Sequence, residues 1–154
     1  MPTPRTVYFV CTGNTCRSPM AEALFREVLT QENLGKKFKT ASFGLAAACG
    51  EPASLEAQKA VAEKGGDLSG HRSRRAADVA LGAGDIFIGM TPGHLHALKT
   101  LPAQVFCIGE FFPENAFPRE VPDPFGGTAN DYRVARDAIL SAFPRLTEFL
   151  KTLD

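Results

Sequence analysis

The strongest constraint on this sequence is its rhythm of short apolar runs and longer amphipathic stretches. Apolar runs recur at Thr6–Val10 (TVYFV), Phe38–Ser42, Asp85–Met90 (DIFIGM) and Gln104–Ile108. Each has strand length rather than helix length. Between them, Pro19–Glu32 carries Met20, Leu24, Phe25, Val28 and Leu29 at helical spacing. Ala53–Lys64 sets Leu55 and Val61 among alanines and ends at Gly65-Gly66, and Pro92–Lys99 is a third helical stretch. Asp131–Leu150 makes a long last helix that Pro144 is expected to kink or divide. Strands separated by helices must be joined by crossovers, which gives a parallel sheet with helices on both faces. The expected fold is therefore α/β: a single-domain, three-layer sandwich over residues 1–154, with a four-stranded parallel sheet. A chain of 154 residues suits one such domain. The segment Phe111–Thr128, rich in Pro and Gly, reads as a functional loop.

Composition narrows the function classes. Lys plus Arg and Asp plus Glu each total 17, which argues against an extended nucleic-acid surface but leaves room for a local basic pocket. The segment MPTPRTVYFVCTGN has no apolar run long enough for a signal peptide or membrane span, so a cytoplasmic setting is expected. The cysteines at 11, 16, 49 and 107 lack both the spacing of a secreted disulfide framework and that of a zinc site. No metal is expected.

In an open parallel sheet, ligands sit outside the carboxyl ends of the strands. Cys11 lies at that place after the first strand, opening the loop C-T-G-N-T-C-R-S. Gly13 permits positive φ and close backbone approach to a ligand, and Asn14 tolerates left-handed geometry. Ser18 is a good N-cap and Pro19 suits the first helical position. The amides of Thr12, Gly13, Asn14, Thr15 and Cys16 then form a nest that meets a helix N-terminus, where an anion is favoured. Arg17 adds a planar fork of donors that grips two phosphate oxygens. A cysteine at the mouth of a positive cradle is favoured as thiolate, and Cys11 is thereby aimed at phosphorus.

The segment CTGNTCRSPMAE resembles the signature loop of the low-molecular-weight protein phosphatases, C-x-G-N-x-C-R-S-P. The resemblance extends over essentially the whole chain. It implies catalysis by Cys11, Arg17 and a general acid in the D-P motif of VPDPFGG, which is Asp123. From the residues alone, Asp123 reads equally well as a turn aspartate. The resemblance also implies that Ser42 and His71, with Asn14, brace the phosphate loop, and that Ser18 donates to the Cys11 sulfur. A lone histidine such as His71 would otherwise be read as an ordinary surface or core residue. Cys16 stays open between a small buried residue and a thiol that pairs with oxidised Cys11. His94 and His96 read as surface residues of a helix, Cys49 as a loop residue and Cys107 as a buried strand residue.

Three features bear on the substrate. Thr15 matches the arginine-directed branch of the family, whereas the tyrosine-directed branch usually carries a larger aliphatic residue there. Phe125 is followed by Gly126 and Gly127, where tyrosine-directed members place tyrosines. Ala46–Ala48 is small where those members often have an aromatic wall. The expected activity is hydrolysis of protein phosphoarginine through a cysteinyl-phosphate intermediate, with Phe125 as a stacking surface. Phosphotyrosine hydrolysis is the alternative; arsenate reduction and a non-catalytic phosphate-binding module are remoter ones. No metal or organic cofactor is implied. The expected partner is a phosphorylated protein, without nucleic acid or membrane, for a monomeric enzyme.

Overall fold

Alternation along the first strand divides the core in two. Val7, Phe9 and Cys11 point into one apolar cluster, Tyr8 and Val10 into another. This is the period-2 pattern of a strand buried on both faces. A computed structural model describes residues 3–101 and 103–153. The strands are β1 (Arg5–Cys11), β2 (Phe38–Gly44), β3 (Ile86–Gly89) and β4 (Gln104–Cys107), all parallel, in the order β2-β1-β3-β4. The helices are α1 (Arg17–Gln31), α2 (Leu55–Ala62), α3 (Pro92–Leu98) and α4 (Ala129–Lys151). Helices α1, α2 and α4 bury Met20, Phe25, Val61, Ile139 and Phe143 against one face of the sheet. On the other face, Leu98 of α3 packs with Tyr8, Phe43 and Phe87. The three-layer parallel architecture expected from the sequence is the one observed.

Two sequence expectations are corrected in detail. Leu55 is 71 % exposed and takes no part in the apolar face of α2, which rests instead on Ala57, Ala60 and Val61. Of the two outcomes expected at Pro144, a kink or a division, division does not occur: α4 runs unbroken through it. The proline stands on the exposed side, while Ile139, Ala142, Phe143, Leu146 and Leu150 are buried on either side of it. Tertiary packing of that stripe holds the helix across the missing hydrogen bond.

From β1 the chain runs outward to β2, then returns past β1 to form β3 on its other side. The carboxyl ends of β1 and β3 therefore flank a topological switch point. The edge there is tied together: the Met90 amide donates to Val10 O at 3.0 Å, and the Val121 amide to Met90 O at 3.0 Å. Val121, fully buried, fixes the start of the loop that carries Asp123.

Candidate active site

The Cys11 sulfur sits at the switch point, 3 % exposed. The Asn14 amide donates to it at 3.3 Å, and the Ser18 hydroxyl lies 2.9 Å away. The direction of the second contact follows from Asn14. Its Nδ2 donates to Ser18 Oγ at 2.9 Å, so the serine proton is free to point at sulfur. Two donors thus converge on one thiol.

Asn14 is fully buried, and its backbone and side chain are satisfied at every polar atom. Its Nδ2 also donates to Ser42 Oγ at 2.9 Å, its Oδ1 accepts from the Arg74 amide at 2.8 Å, and its carbonyl accepts from His71 Nε2 at 2.8 Å. A carbonyl only accepts, so His71 carries its proton on Nε2. The Ser42 hydroxyl in turn donates to Glu22 Oε1 at 2.6 Å. The structure therefore brings Ser18, Ser42 and His71 together around Asn14. Burial pushes the His71 pKa down, against the opposing pull of the Asn14 carbonyl and Glu22.

The loop follows the sequence expectation in part. Asn14 adopts the left-handed geometry expected of it, with φ 57°, whereas Gly13 does not have a positive φ. Gly13 leaves open space, with only Thr15 Oγ1 at 3.8 Å from where a Cβ would stand. The N-cap is Cys16, and the helix begins at Arg17, so Ser18 and Pro19 lie inside the first turn. The reason is that the Ser18 hydroxyl is committed to Cys11 and Asn14 rather than to capping. Pro19 is tolerated there because first-turn amides have no intrahelical partner to lose.

Arg17 is 6 % exposed, and its Nη1 donates to Val121 O at 3.1 Å. Its Nη2 lies 3.6 Å from Asp123 Oδ2. Asp123 is far more open, with its side chain 57 % exposed and Oδ1 accepting from the Phe125 amide at 3.1 Å. The Gly127 amide closes a turn onto Pro124 O, with Gly126 at φ 75°, a conformation glycine adopts without strain. Phe125 is 78 % exposed at the tip of that turn. A cavity of about 250 Å³ is lined by Cys11 to Arg17, Asp123 and Phe125. Thr15 belongs to this lining, half-buried, whereas Ala46–Ala48 does not.

Sequence reasoning missed several residues. His94 is not a surface histidine: it is 6 % exposed, and its Nε2 lies 3.0 Å from Thr12 Oγ1. Its place in the first turn of a short helix hid this, since the partner is 82 residues away. Gly44 ends β2 where a Cβ would come within 2.5 Å of Thr12 O and 3.0 Å of the Asn14 amide, so a glycine is needed for the loop to pass. The signal was present as a glycine closing the strand after Ser42. Tyr132 bonds the Cys16 thiol at 3.4 Å, and burial, then that contact, pushes its hydroxyl up to about 12. All four cysteines are free thiols, with Cys49 exposed and Cys107 buried as expected.

A strand–loop–helix unit with a buried thiol, a buried arginine and an acidic loop matches one family over nearly the full chain. The model of the "Low molecular weight phosphotyrosine protein phosphatase" family matches residues 6–154. The chain belongs to this family. It is thus a cysteine-dependent low-molecular-weight protein phosphatase. A protein-arginine-phosphatase of Geobacillus stearothermophilus is 35 % identical over 97 % of this chain and 98 % of its own. The low-molecular-weight protein-tyrosine phosphatase A of Mycobacterium tuberculosis is 30 % identical, covering 97 % and 94 %. A solved arginine phosphatase from Geobacillus stearothermophilus superposes with a TM-score of 0.76 at 34 % identity, covering 97 % of this chain and 94 % of its own.

Proposed function

We propose that this phosphatase acts on phosphoarginine in proteins, with Cys11, Arg17 and Asp123 as its catalytic residues. The observation that carries the reading is Thr15, a small hydroxyl residue lining the cavity beside Cys11. The two glycines after Phe125 and the arginine phosphatases among its relatives support it.

In the first step, the Cys11 sulfur attacks phosphorus from the cavity floor and the P–N bond breaks. The departing nitrogen takes a proton from the Asp123 carboxyl, so arginine leaves as guanidinium. Arg17 and the loop amides hold the non-bridging oxygens, and no metal is needed to spread their charge. In the second step, water attacks the cysteinyl phosphate and gives its proton to the Asp123 carboxylate. The S–P bond breaks, and its electron pair returns to sulfur, where the Ser18 hydroxyl and the Asn14 amide are already aimed. Asn14, Ser42 and His71 act by holding the loop in this shape.

Phosphotyrosine is the second reading, favoured by the open Phe125 ring at the cavity edge, which offers a stacking face to a phenol. Initial rates on matched phosphoarginine and phosphotyrosine peptides, repeated on Thr15→Ile, decide between them. A phosphoarginine preference that weakens or reverses in Thr15→Ile is expected. A wild-type preference for phosphotyrosine would discard the arginine reading and leave the cysteine mechanism in place.

A further inference from the structure

The site sorts its residues by depth. Cys11, Asn14, Arg17 and Ser18 are buried, whereas Thr12, Asp123 and Phe125 are exposed. On the phosphatase reading, the buried set meets the phosphoryl group and the exposed set lies around the group that carries it. Thr12 is the member of the exposed set that belongs to the phosphate loop. Its carbonyl is held from the β2 side by the Ala46 amide at 2.9 Å. Its hydroxyl is held from the β3 side by His94 Nε2 at 3.0 Å. The other nitrogen of that ring lies 3.2 Å from Thr91 Oγ1, the hydroxyl that caps α3. Both ring nitrogens of a buried histidine are therefore engaged, and the chain Thr91–His94–Thr12 crosses the switch point from the start of α3 to the rim of the cavity.

We propose that His94 is a positioning residue for the substrate: acting through Thr12, it fixes one hydroxyl on the cavity rim to receive the group that bears the phosphoryl. The proposal rests on the phosphatase reading above. A threonine hydroxyl offers one proton and two lone pairs, and His94 occupies only one of these. Thr12 lines the cavity, so what remains is available to an N–H of a guanidino group or of the flanking peptide. An untethered exposed threonine would lose rotamer freedom on binding; the tether removes that cost beforehand. Burial, with the Arg17 guanidinium adding to it and Asp123 opposing, pushes the His94 pKa down to about 4, so the ring is neutral near pH 7 and adds no charge beside Arg17.

The test is a double-mutant cycle of Thr12→Val and His94→Ala, with His94→Gln as the conservative variant. The readouts are KM and kcat on the phosphopeptide the wild type prefers, inhibition by inorganic phosphate, and Tm. Each single variant is expected to raise KM about fivefold, the worth of one hydrogen bond. The double variant is expected to be no worse than the poorer single, because both changes break the same path. His94→Gln recovers most of the loss, and inorganic phosphate inhibits all variants alike. Effects that multiply in the double variant overturn the path through Thr12. A parallel loss of phosphate inhibition overturns it too, by placing His94 with the cradle. Thr12 is exposed, so Thr12→Val folds even if His94→Ala does not, and an unchanged KM in Thr12→Val alone is also fatal. A wild type that fails to hydrolyse p-nitrophenyl phosphate marks instead the failure of the phosphatase reading itself.

Discussion

The loop after β1 and the loop before α4 meet at one cavity but are built in opposite ways. The first is largely buried and braced from four directions: α1 through Ser18, β2 through Ser42, the His71–Arg74 segment through the Asn14 side chain and carbonyl, and α3 through His94 at Thr12. The second is anchored at Val121 and capped at Thr128, and between them it exposes Asp123 and Phe125 to solvent. The difference follows from what each must recognise. A phosphoryl group has one shape, so donors fixed in advance lose nothing on binding it. The group that carries it varies between substrates and must be admitted and released, which favours a short, open turn.

This contrast breaks most sharply at Cys11, the proposed nucleophile. Cys11→Ser is expected to lower kcat by about 10⁴-fold or more, while inorganic phosphate still binds, because the cradle is made of other residues. Equilibrium binding of phosphate to the variant measures the second half of this claim. A Cys11→Ser protein with a near-normal rate would refute the assignment of the nucleophile.

Asn14→Ala and Asp123→Ala sharpen the comparison as a pair. Asn14→Ala leaves the Ser18 and Ser42 hydroxyls and the Arg74 amide short of a partner, in a left-handed backbone position. It should cost about 2–4 kcal/mol and lower Tm by roughly 5–15 °C, with turnover falling as the loop loosens. Asp123→Ala removes an exposed carboxylate whose ion pair is worth little, so stability should stay within about 0.5 kcal/mol. Its kcat should nevertheless fall by about 10²–10³-fold on poor leaving groups, and less on p-nitrophenyl phosphate, which departs with little protonation. Melting curves and a leaving-group series separate the two. A large Tm loss in Asp123→Ala, or none in Asn14→Ala, would erase the distinction between the loops.

The rigid loop was far more legible in the sequence than the bracing around it. The strand–helix rhythm set out the layers, because burial on both faces of a parallel sheet leaves unbroken apolar runs such as TVYFV. Cys11, Arg17 and Asn14 stood out because their residue types recur in one short loop. His94, Gly44 and Tyr132 escaped because each acts through a partner distant in sequence, and a lone histidine in a seven-residue helix looks like any other. Of the two roles expected of Ser18, the contact with the Cys11 sulfur is present and the helix cap is not, because Cys11 and Asn14 claim its hydroxyl.

The smallest effect concerns acid. His71 and His94 both brace the buried loop, and both have pKa values lowered from the ordinary 6.5, His94 to about 4. Each is neutral in the folded protein while the unfolded chain takes up a proton at higher pH. The unfolded state therefore binds more protons between about pH 4 and 6.5, and stability must rise with pH across that window. It is present above pH 6.5 and lost as pH falls toward 4. Glu63 and Asp78, both lowered to about 2, act below this range. His94 faces Arg17 and Asp123, and His71 faces Glu22, Arg72 and Arg74, so these charges tune the slope. Melting curves from pH 7.5 to 4.5 should show Tm falling by a few degrees, a fall that His94→Gln reduces and that Asp123→Ala, which removes a charge raising the His94 pKa, does not reduce. An identical slope in His94→Gln would mean that the buried loop titrates through some other group, and would leave His71 as the remaining histidine brace to test.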